Sequence, residues 1–521
     1  MTELAAGSSL PPWATAAASG KRVCLIIPPS PFLLDERVFP SLGILKIASA
    51  LEAGGARVDL LDLSGIENYL DVLSHFLSVN TYDAAGITST TPQLPATMKI
   101  AAAIRASRPS LRIILGGPHV TLCYSAWKME RKSKSGRGHH AVGQLEAAFD
   151  VLCSGDGEAA IFRALEPGAP KFIDGDDPAG LLFLSDALYE NSPLPARHLI
   201  DLASYKYSID GHSATSLIAQ LGCPFGCGFC GGRNSKSLRV IRTRSAESIV
   251  SEIDFLYQTY GFTGFMFYDD ELNVNKNLPH LMNLIALYQE RQGVQFRLRG
   301  FIKSELFTAE QAEAMYRAGF RWLLVGFEAA DPRILENINK KATVSDNSRA
   351  MDIAKKFGLK VKALMSCGHP GETEESITAA RDWLIGNQVD DFDCTIITPY
   401  PGTPYHDLAK PHADLRRVWT YTHPKSGDRL HQYEVDYMET ANFYKGIPNS
   451  GYQSFVFTDA LSPERLVAMR DWLEDDVRRI LGIPFNQSRA ALRYEHSMGQ
   501  SIPSFIVRST ASRDASACAN V

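Results

Sequence analysis

The chain of 521 residues lacks any apolar run near the ~18 residues that a membrane-spanning helix needs. It also lacks a basic stripe. Its 53 Lys and Arg are interspersed with 58 Asp and Glu, for a net charge of −5. That balance argues against a nucleic-acid footprint and against a basic helix lying on a membrane. The first twenty residues are rich in Ala, Ser and Pro and lack both a charged start and a long apolar core. They read as a disordered tail, not a signal peptide. Cysteine is scarce: nine copies, an odd number and mostly scattered, suit a reducing cytoplasm and not a disulfide framework. The length allows two or three domains.

Three cysteines are not scattered. Cys223, Cys227 and Cys230 stand in Cys223-Pro224-Phe225-Gly226-Cys227-Gly228-Phe229-Cys230, a CxxxCxxC spacing. Three thiolates this close can hold three corners of a cubane 4Fe-4S cluster. No fourth cysteine lies nearby, so one iron is left open to chelate a substrate or cofactor. Gly222, Gly226 and Gly228 let the loop bend so that its sulfurs converge. A zinc site would ask for a second knuckle, which is absent. Three buried structural cysteines would need neither this spacing nor these glycines.

From Arg22 onward, apolar strand-like runs alternate with amphipathic stretches. Strands are expected at Val23–Ile27, Val58–Leu61, Ala84–Thr88, Arg112–Leu115 and Val151–Cys153, with a helix over Leu42–Ala53. This alternation predicts an α/β fold with a doubly wound parallel sheet, whose ligand lies at the carboxyl ends of the strands. Residues Met129–His140 read as a basic solvated insertion and 167–210 as a linker. A second αβ series starts near Ala214. It gives six strand–helix units, a partial (β/α) barrel over 211–410. The remainder, 411–521, is expected to be a mainly helical cap that shapes the substrate pocket. Tyr437–Tyr444 and Tyr494–Gly499 either shape that pocket or pack on the barrel.

The cysteine motif, with Phe229 before its last cysteine, resembles that of the radical S-adenosylmethionine (radical SAM) enzymes. Residues 21–166 resemble the cobalamin-binding domain fused ahead of many such barrels. This second likeness is carried by Pro28-Pro29-Ser30, Phe39-Pro40-Ser41-Leu42-Gly43, Gly116-Gly117-Pro118-His119 and Gly155-Asp156-Gly157-Glu158. The resemblance implies that Cys223, Cys227 and Cys230 bind the cluster and are catalytic, and that the open iron holds S-adenosylmethionine by its amino and carboxylate groups. It implies contacts to that cofactor from Glu271 or Asp270 and from Glu328, with Gly368 and Gly371 near the adenine. Arg299 or Lys303 would neutralise its carboxylate or an acidic substrate. Glu372 either joins the adenine loop or caps the next helix. Ser89, Thr90, Gly116 and Gly117, together with Gly86, would let the corrin lie against the sheet edge. The DxHxxG motif that ligates cobalt from below is absent; Asp210-Gly211-His212 is a partial match. His119 is either near the corrin or a satisfied loop histidine.

The implied activity is methylation of an unactivated carbon of a small specialised metabolite, with cobalamin carrying the methyl group. The alternatives are a cyclase or oxidoreductase without net methyl transfer, and a non-catalytic iron–sulfur protein. The resemblance also implies an external electron donor of the flavodoxin or ferredoxin type. No nucleic acid or membrane partner is expected.

Overall fold

The structure, a computed structural model, describes residues 12–33, 35–131, 136–444, 446 and 451–484. Its first module is a six-stranded sheet built from β1 (Arg22–Ile27), β2 (Arg57–Asp62), β3 (Ala84–Thr88), β4 (Arg112–Gly116), β5 (Val151–Gly155) and β6 (Phe172–Gly175). The strands are all parallel, in the order β2-β1-β3-β4-β5-β6. Helices cover both faces, which is why β1 reads as an unbroken apolar run, not an alternating one. Val23, Leu25 and Ile27 face one core with Leu45 and Phe162. Cys24 and Ile26 face the other with Phe76 and Ile104. The strand order reverses between β1 and β3, so their carboxyl ends form the switch-point crevice where such sheets bind ligands.

Two boundaries differ from the sequence expectation. The tail is partly ordered: Pro12–Ala18 is a helix that buries Ala14, Ala17 and Ala18. The Ala18 methyl packs beside Gly54, where any larger residue would collide with Phe162. The first domain also runs past residue 166, because β6 pairs with β5 from Leu152↔Phe172 to Gly155↔Gly175. A four-residue strand ending in Asp174-Gly175 carries too little periodicity to be read as one. The insertion is likewise mostly helix, Pro118–Glu130 and Arg137–Ala148, with 132–135 outside the described residues. Arg137 is a tether: its Nη1 donates to the His406 carbonyl at 3.0 Å and its guanidinium stacks on Trp419 at 4.6 Å.

The second module begins with a hairpin of β7 (Ser208–Ile209) and β8 (His212–Leu217), turned by Asp210-Gly211, both at positive φ. A short ribbon follows, β9 (Gln220–Leu221) against β10 (Arg242–Thr243). Then come β11 (Gly264–Phe267), β12 (Arg297–Ile302), β13 (Phe320–Glu328), β14 (Lys360–Cys367) and β15 (Asp391–Ile396). Strands β8 and β11 to β15 run parallel in sequence order, six in all, as a curled sheet with antiparallel β7 on its first edge.

Among the described residues the C-terminal region is not mainly helical. It forms a four-stranded antiparallel sheet, β16 (Lys410–Pro411), β17 (Val418–Thr422), β18 (Arg429–Tyr433) and β19 (Val456–Thr458), followed by one helix, Pro463–Leu481. Val418-Trp419-Thr420-Tyr421-Thr422 is rich in β-branched and aromatic residues, which favour a half-buried strand. The helix seals the last edge of the curled sheet. Cys394 N donates to Glu474 at 2.7 Å, Arg470 Nε to the Cys394 carbonyl at 2.9 Å, and Arg478 Nη2 to the Phe392 carbonyl at 2.6 Å. Residues 494–499 lie outside the described residues. Among the described residues no helix is long and apolar enough to cross a membrane.

A buried charge triad joins the 167–210 segment to the barrel. Glu252 lies between Arg197, at 3.0 Å, and Arg244. Arg197 also donates to the Ser216 carbonyl at 2.7 Å. Burial pushes the Glu252 pKa up, but the two guanidinium groups outweigh it and hold it below the ordinary value. Glu252→Ala leaves both cations buried and unpaired, at a cost of ~3–5 kcal/mol. A urea unfolding curve should show a clearly lowered midpoint. The depressed pKa also fixes the pH window. The wild-type advantage is present above the unfolded Glu value of about 4.3 and is lost as the pH falls through the folded value.

Candidate cluster and cofactor site

The cysteine loop leaves β9 and returns at β10, so the two-residue ribbon closes its neck through Gln220↔Thr243 and Leu221↔Arg242. The buried Asp269 fixes the same neck by accepting from Ala219 N at 3.3 Å and Gln220 N at 2.5 Å. Along the loop, backbone groups are held from several sides. Arg239 donates to the Phe225 and Pro224 carbonyls at 2.9 and 2.6 Å. Asn339 Nδ2 donates to the Gly226 carbonyl at 2.9 Å, and Gly228 N to the Ile338 carbonyl at 2.8 Å. A side chain at Gly228 would collide with Tyr405. The glycine there is therefore required by close approach to the barrel loop after β15.

The structure brings Cys223, Cys227 and Cys230 together in this one loop, with Cys227 buried, Cys223 half-exposed and Cys230 exposed. Among the described residues no three His, Cys, Asp or Glu side chains surround a single ion position. A cubane takes each thiolate at a different iron, so its ligands stand apart. Burial raises the Cys223 thiol pKa to about 11 and also raises that of Cys227, where Lys340 opposes it. Thiols held up in this way ionise when a cationic centre binds them.

Two carboxylates and two lysines gather beside the loop from the carboxyl ends of successive strands. Glu271 follows β11, Lys303 follows β12, Glu328 ends β13, and Lys340 follows the next helix. Glu328 is held at φ +65, a left-handed conformation that a non-glycine residue rarely adopts, and a register shift between Gly326 and Glu328 re-aims its side chain. Its Oε1 accepts from Lys340 at 3.1 Å and its Oε2 from Ser366 Oγ at 2.7 Å. Both oxygens are thus committed to protein groups. Glu271 differs: its Oε2 is buried and has no hydrogen-bond partner among the described residues. Burial raises its pKa to about 7, against the pull of Lys340 and Lys303 and with the help of Asp270 and Glu328. Gln220 Oε1 and His369 Nδ1 are also buried without partners. A buried polar atom left unpaired is costly. These atoms fit a ligand carrying several hydrogen-bond donors, such as the ammonium and ribose of S-adenosylmethionine.

Other sequence candidates have structural duties. Lys303 is buried, donates to the Lys340 carbonyl at 2.7 Å, pairs with Glu305 at 2.5 Å and lies 4.3 Å over the Phe225 ring. Arg299 sits lower in the barrel, over Trp322. Gly368 and Gly371 both have positive φ. A side chain at Gly371 would collide with Asp428, and one at Gly368 would crowd Ile396 and Val456. Glu372 is buried and accepts from Ser376 Oγ at the start of the following helix. Cys367 and Cys394 are buried in the barrel wall. Lys340, Ser366 and Asn339 were not legible in the sequence. An Asn-Lys-Lys run after a helix looks like any solvated helix end.

At the first sheet's crevice, Ser89 is fully buried. Its N donates to the Gly116 carbonyl at 3.2 Å, and its own carbonyl accepts from His119 N at 3.0 Å. Gly117, at φ +92, packs against Thr88 and Ser89, stitching the β3 and β4 loops together. Thr90 is exposed and caps the following turn with Gln93. A methyl group on Gly116 would be tolerated, in ordinary contact with Cys153 at 3.9 Å. His119 is a satisfied histidine, bonded through Nδ1 to Thr91 at 3.0 Å and through Nε2 to Cys123 at 3.4 Å. Burial lowers its pKa to about 4. Asp210-Gly211-His212 forms the β7–β8 hairpin of the second module, where His212 Nδ1 bonds Thr263 at 3.0 Å. Ser89, Gly116 and Gly117 would border a corrinoid held at this edge, and His119 is already engaged by Thr91 and Cys123.

The carboxyl end of the first sheet, at β5 and β6, is fastened to the cluster loop. Asp156, after β5, pairs with the buried Arg242 at 2.5 Å. Asp176, after β6, accepts from Ser235 Oγ at 2.5 Å and from Ser237 N and Oγ, both at 2.8 Å. Leu122 of the first module packs beside Gly231, Gly402 and Tyr400 of the second.

Comparison with known proteins agrees with this layout. The B12 binding domain family matches residues 36–160, and the Radical SAM superfamily matches residues 217–384. An uncharacterized methyltransferase of Pyrococcus horikoshii is 26% identical over 399 residues, covering 73% of this chain and 82% of that protein. The anaerobic magnesium-protoporphyrin IX monomethyl ester cyclase of Rubrivivax gelatinosus is 23% identical over 440 residues, covering 81% and 76%. The solved structure of the radical S-adenosylmethionine methyltransferase TsrM from Kitasatospora setae, with cobalamin and a [4Fe-4S] cluster bound, shares the fold. Its TM-score is 0.64 at 16% identity, over 87% of this chain and 91% of that one. A cobalamin-type sheet clamped onto an open cluster loop places this chain among the B12-binding radical SAM enzymes, with a 4Fe-4S cluster, S-adenosylmethionine and cobalamin as its cofactors.

Proposed function

We propose that the protein is a C-methyltransferase that places a methyl group on an unactivated carbon of a small specialised metabolite. The observation that carries this reading is the clamp between Asp156 and Arg242 and between Asp176 and the Ser235–Ser237 turn. It sets the edge that would hold the corrinoid against the loop that would hold the cluster. A substrate between them would meet both a hydrogen-abstracting and a methyl-donating group. The methyltransferase relative in Pyrococcus horikoshii supports the same reading.

When bound, the cluster and adenosylmethionine supply a radical that removes hydrogen, and the corrinoid supplies the methyl group. The chain's own residues do the rest. Glu271 accepts the methionine ammonium on its unpartnered oxygen. Lys340, fixed by Glu328, sets the charge beside Cys227. Aromatic rings of the first module meet rings of the barrel and the C-terminal region, and would help to keep water from a reactive intermediate. Phe39 meets Tyr207 at 4.4 Å and Tyr268 at 5.5 Å, and Phe32 meets Tyr444 at 5.1 Å. An external one-electron donor of the flavodoxin or ferredoxin type completes the scheme as its protein partner.

Two measurements test this. The Glu271 pKa of about 7 makes adenosylmethionine binding depend on pH. The carboxylate is ionised above that value, and its charge is lost as the pH falls below it. Anaerobic equilibrium dialysis should show affinity about tenfold weaker at pH 6 than at pH 8. Glu271→Gln should bind about 10- to 100-fold more weakly at pH 8 and lose that dependence. In turnover with reductant and a methyl-accepting substrate, methyl transfer requires 5′-deoxyadenosine and S-adenosylhomocysteine in equal amounts. 5′-Deoxyadenosine alone would indicate the cyclase-type reaction, and neither product would defeat both.

A further inference from the structure

The fourteen residues Gly231–Arg244 carry five cations and no acid, in a chain of net charge −5. Two of the cations are buried and paired, Arg242 with Asp156 and Arg244 with Glu252. Arg239 is spent on the Pro224 and Phe225 carbonyls. Arg233 has no such duty. It lies three residues beyond Cys230, and its side chain folds back over the cysteine loop, so that a methyl group on Gly226 would collide with its Nη1. Gly226 stands between Cys223 and Cys227. Among the described residues no carboxylate pairs with Arg233, and its Nε is buried without a hydrogen-bond acceptor. Burial and Arg239 lower its pKa, while the ionised forms of Cys227, Cys230 and Cys223 raise it. The three cluster ligands are its counter-charges.

A cation fixed beside a cluster interacts with the cluster's net charge. Three thiolates make that charge more negative, and an added electron makes it more negative still. The attraction is therefore stronger in the reduced state, and it is screened little in a partly buried loop. Charge beside an iron–sulfur cluster is one of the means by which a protein sets its potential.

We propose that Arg233 is the electrostatic partner of the cluster and raises its reduction potential, easing entry of the electron that cleaves adenosylmethionine. The step is a one-electron reduction of the cluster at the expense of the external donor; no bond to Arg233 forms or breaks. The proposal rests on the cofactor set assigned above. Gly226 is the enabling residue, since only a residue without a side chain leaves room for the guanidinium over the loop.

The test is an anaerobic redox titration of the reconstituted protein, followed by the electron paramagnetic resonance signal of the reduced cluster. Iron and sulfide are quantified in every sample. Arg233→Gln should lower the ratio of reduced to oxidised cluster about tenfold at a fixed potential, a downward shift of ~59 mV. Arg233→Lys should recover most of it. Lys236→Gln, an exposed cation of the same run, should leave it unchanged. A full cluster in Arg233→Gln with the wild-type ratio overturns the proposal. So does a shift that develops only with adenosylmethionine present, because it would assign the guanidinium to that ligand's carboxylate. Should Arg233→Gln hold no iron, Gly226→Ala, which pushes the guanidinium off the loop, must show the same downward shift, and an unchanged ratio there overturns the proposal. A wild-type chain that takes up no cluster defeats the proposed function itself, a result distinct from a normal cluster with an unshifted variant.

Discussion

Two carboxylates at the edge of the first sheet, Asp156 and Asp176, are the constraint on which the rest of the molecule depends. Each is removed from water and each must be answered by donors. The donors come from the far side of the cysteine loop: Arg242 for one, Ser235 and Ser237 for the other. Satisfying them fixes the loop against the cobalamin-type sheet. One apolar core then runs from that sheet through Ala196, Ile200 and Leu202 into the barrel. The distance between the two cofactor sites is thus set by buried charge and shared packing, not by a flexible hinge.

Much of this was legible in the sequence, for physical reasons that differ from element to element. The Leu42–Ala53 helix and the strands around it announce themselves, because a parallel sheet buried on both faces must be written in unbroken apolar residues. The cysteine loop is legible because its chemistry needs three thiols and flexible backbone within eight residues. Strand β6 was not legible, since four residues paired at a sheet edge carry almost no period. The C-terminal sheet was missed for a related reason. Its strands are short, and neither β17 nor β18 shows a clean alternation of buried and exposed residues.

The site itself divides along the same line. Cys223, Cys227 and Cys230 could be named from spacing alone. Glu271, as an alternative to Asp270, and Glu328 could be named only as candidates for the same cofactor, because the difference between Glu271 and Glu328 is geometric. Glu328 spends both oxygens on Lys340 and Ser366, while Glu271 keeps one in reserve. Nothing in a linear sequence distinguishes a satisfied carboxylate from an unsatisfied one. The same holds for His119, whose commitment to Thr91 and Cys123 depends on how the helix after β4 is seated.

The helix over Pro463–Leu481 does more than pack against the last strand of the barrel. A curled sheet that does not close into a barrel has two raw edges, and a raw edge is a template for any other strand in the cell. At β15 the exposed main-chain groups are answered by Glu474, Arg470 and Arg478, three side chains from one helix. Because a helix has no strand edge of its own, this cover ends the sheet instead of extending it. The C-terminal helix is therefore a guard against self-association, and the openness of the half-barrel is tolerable because this guard is in place.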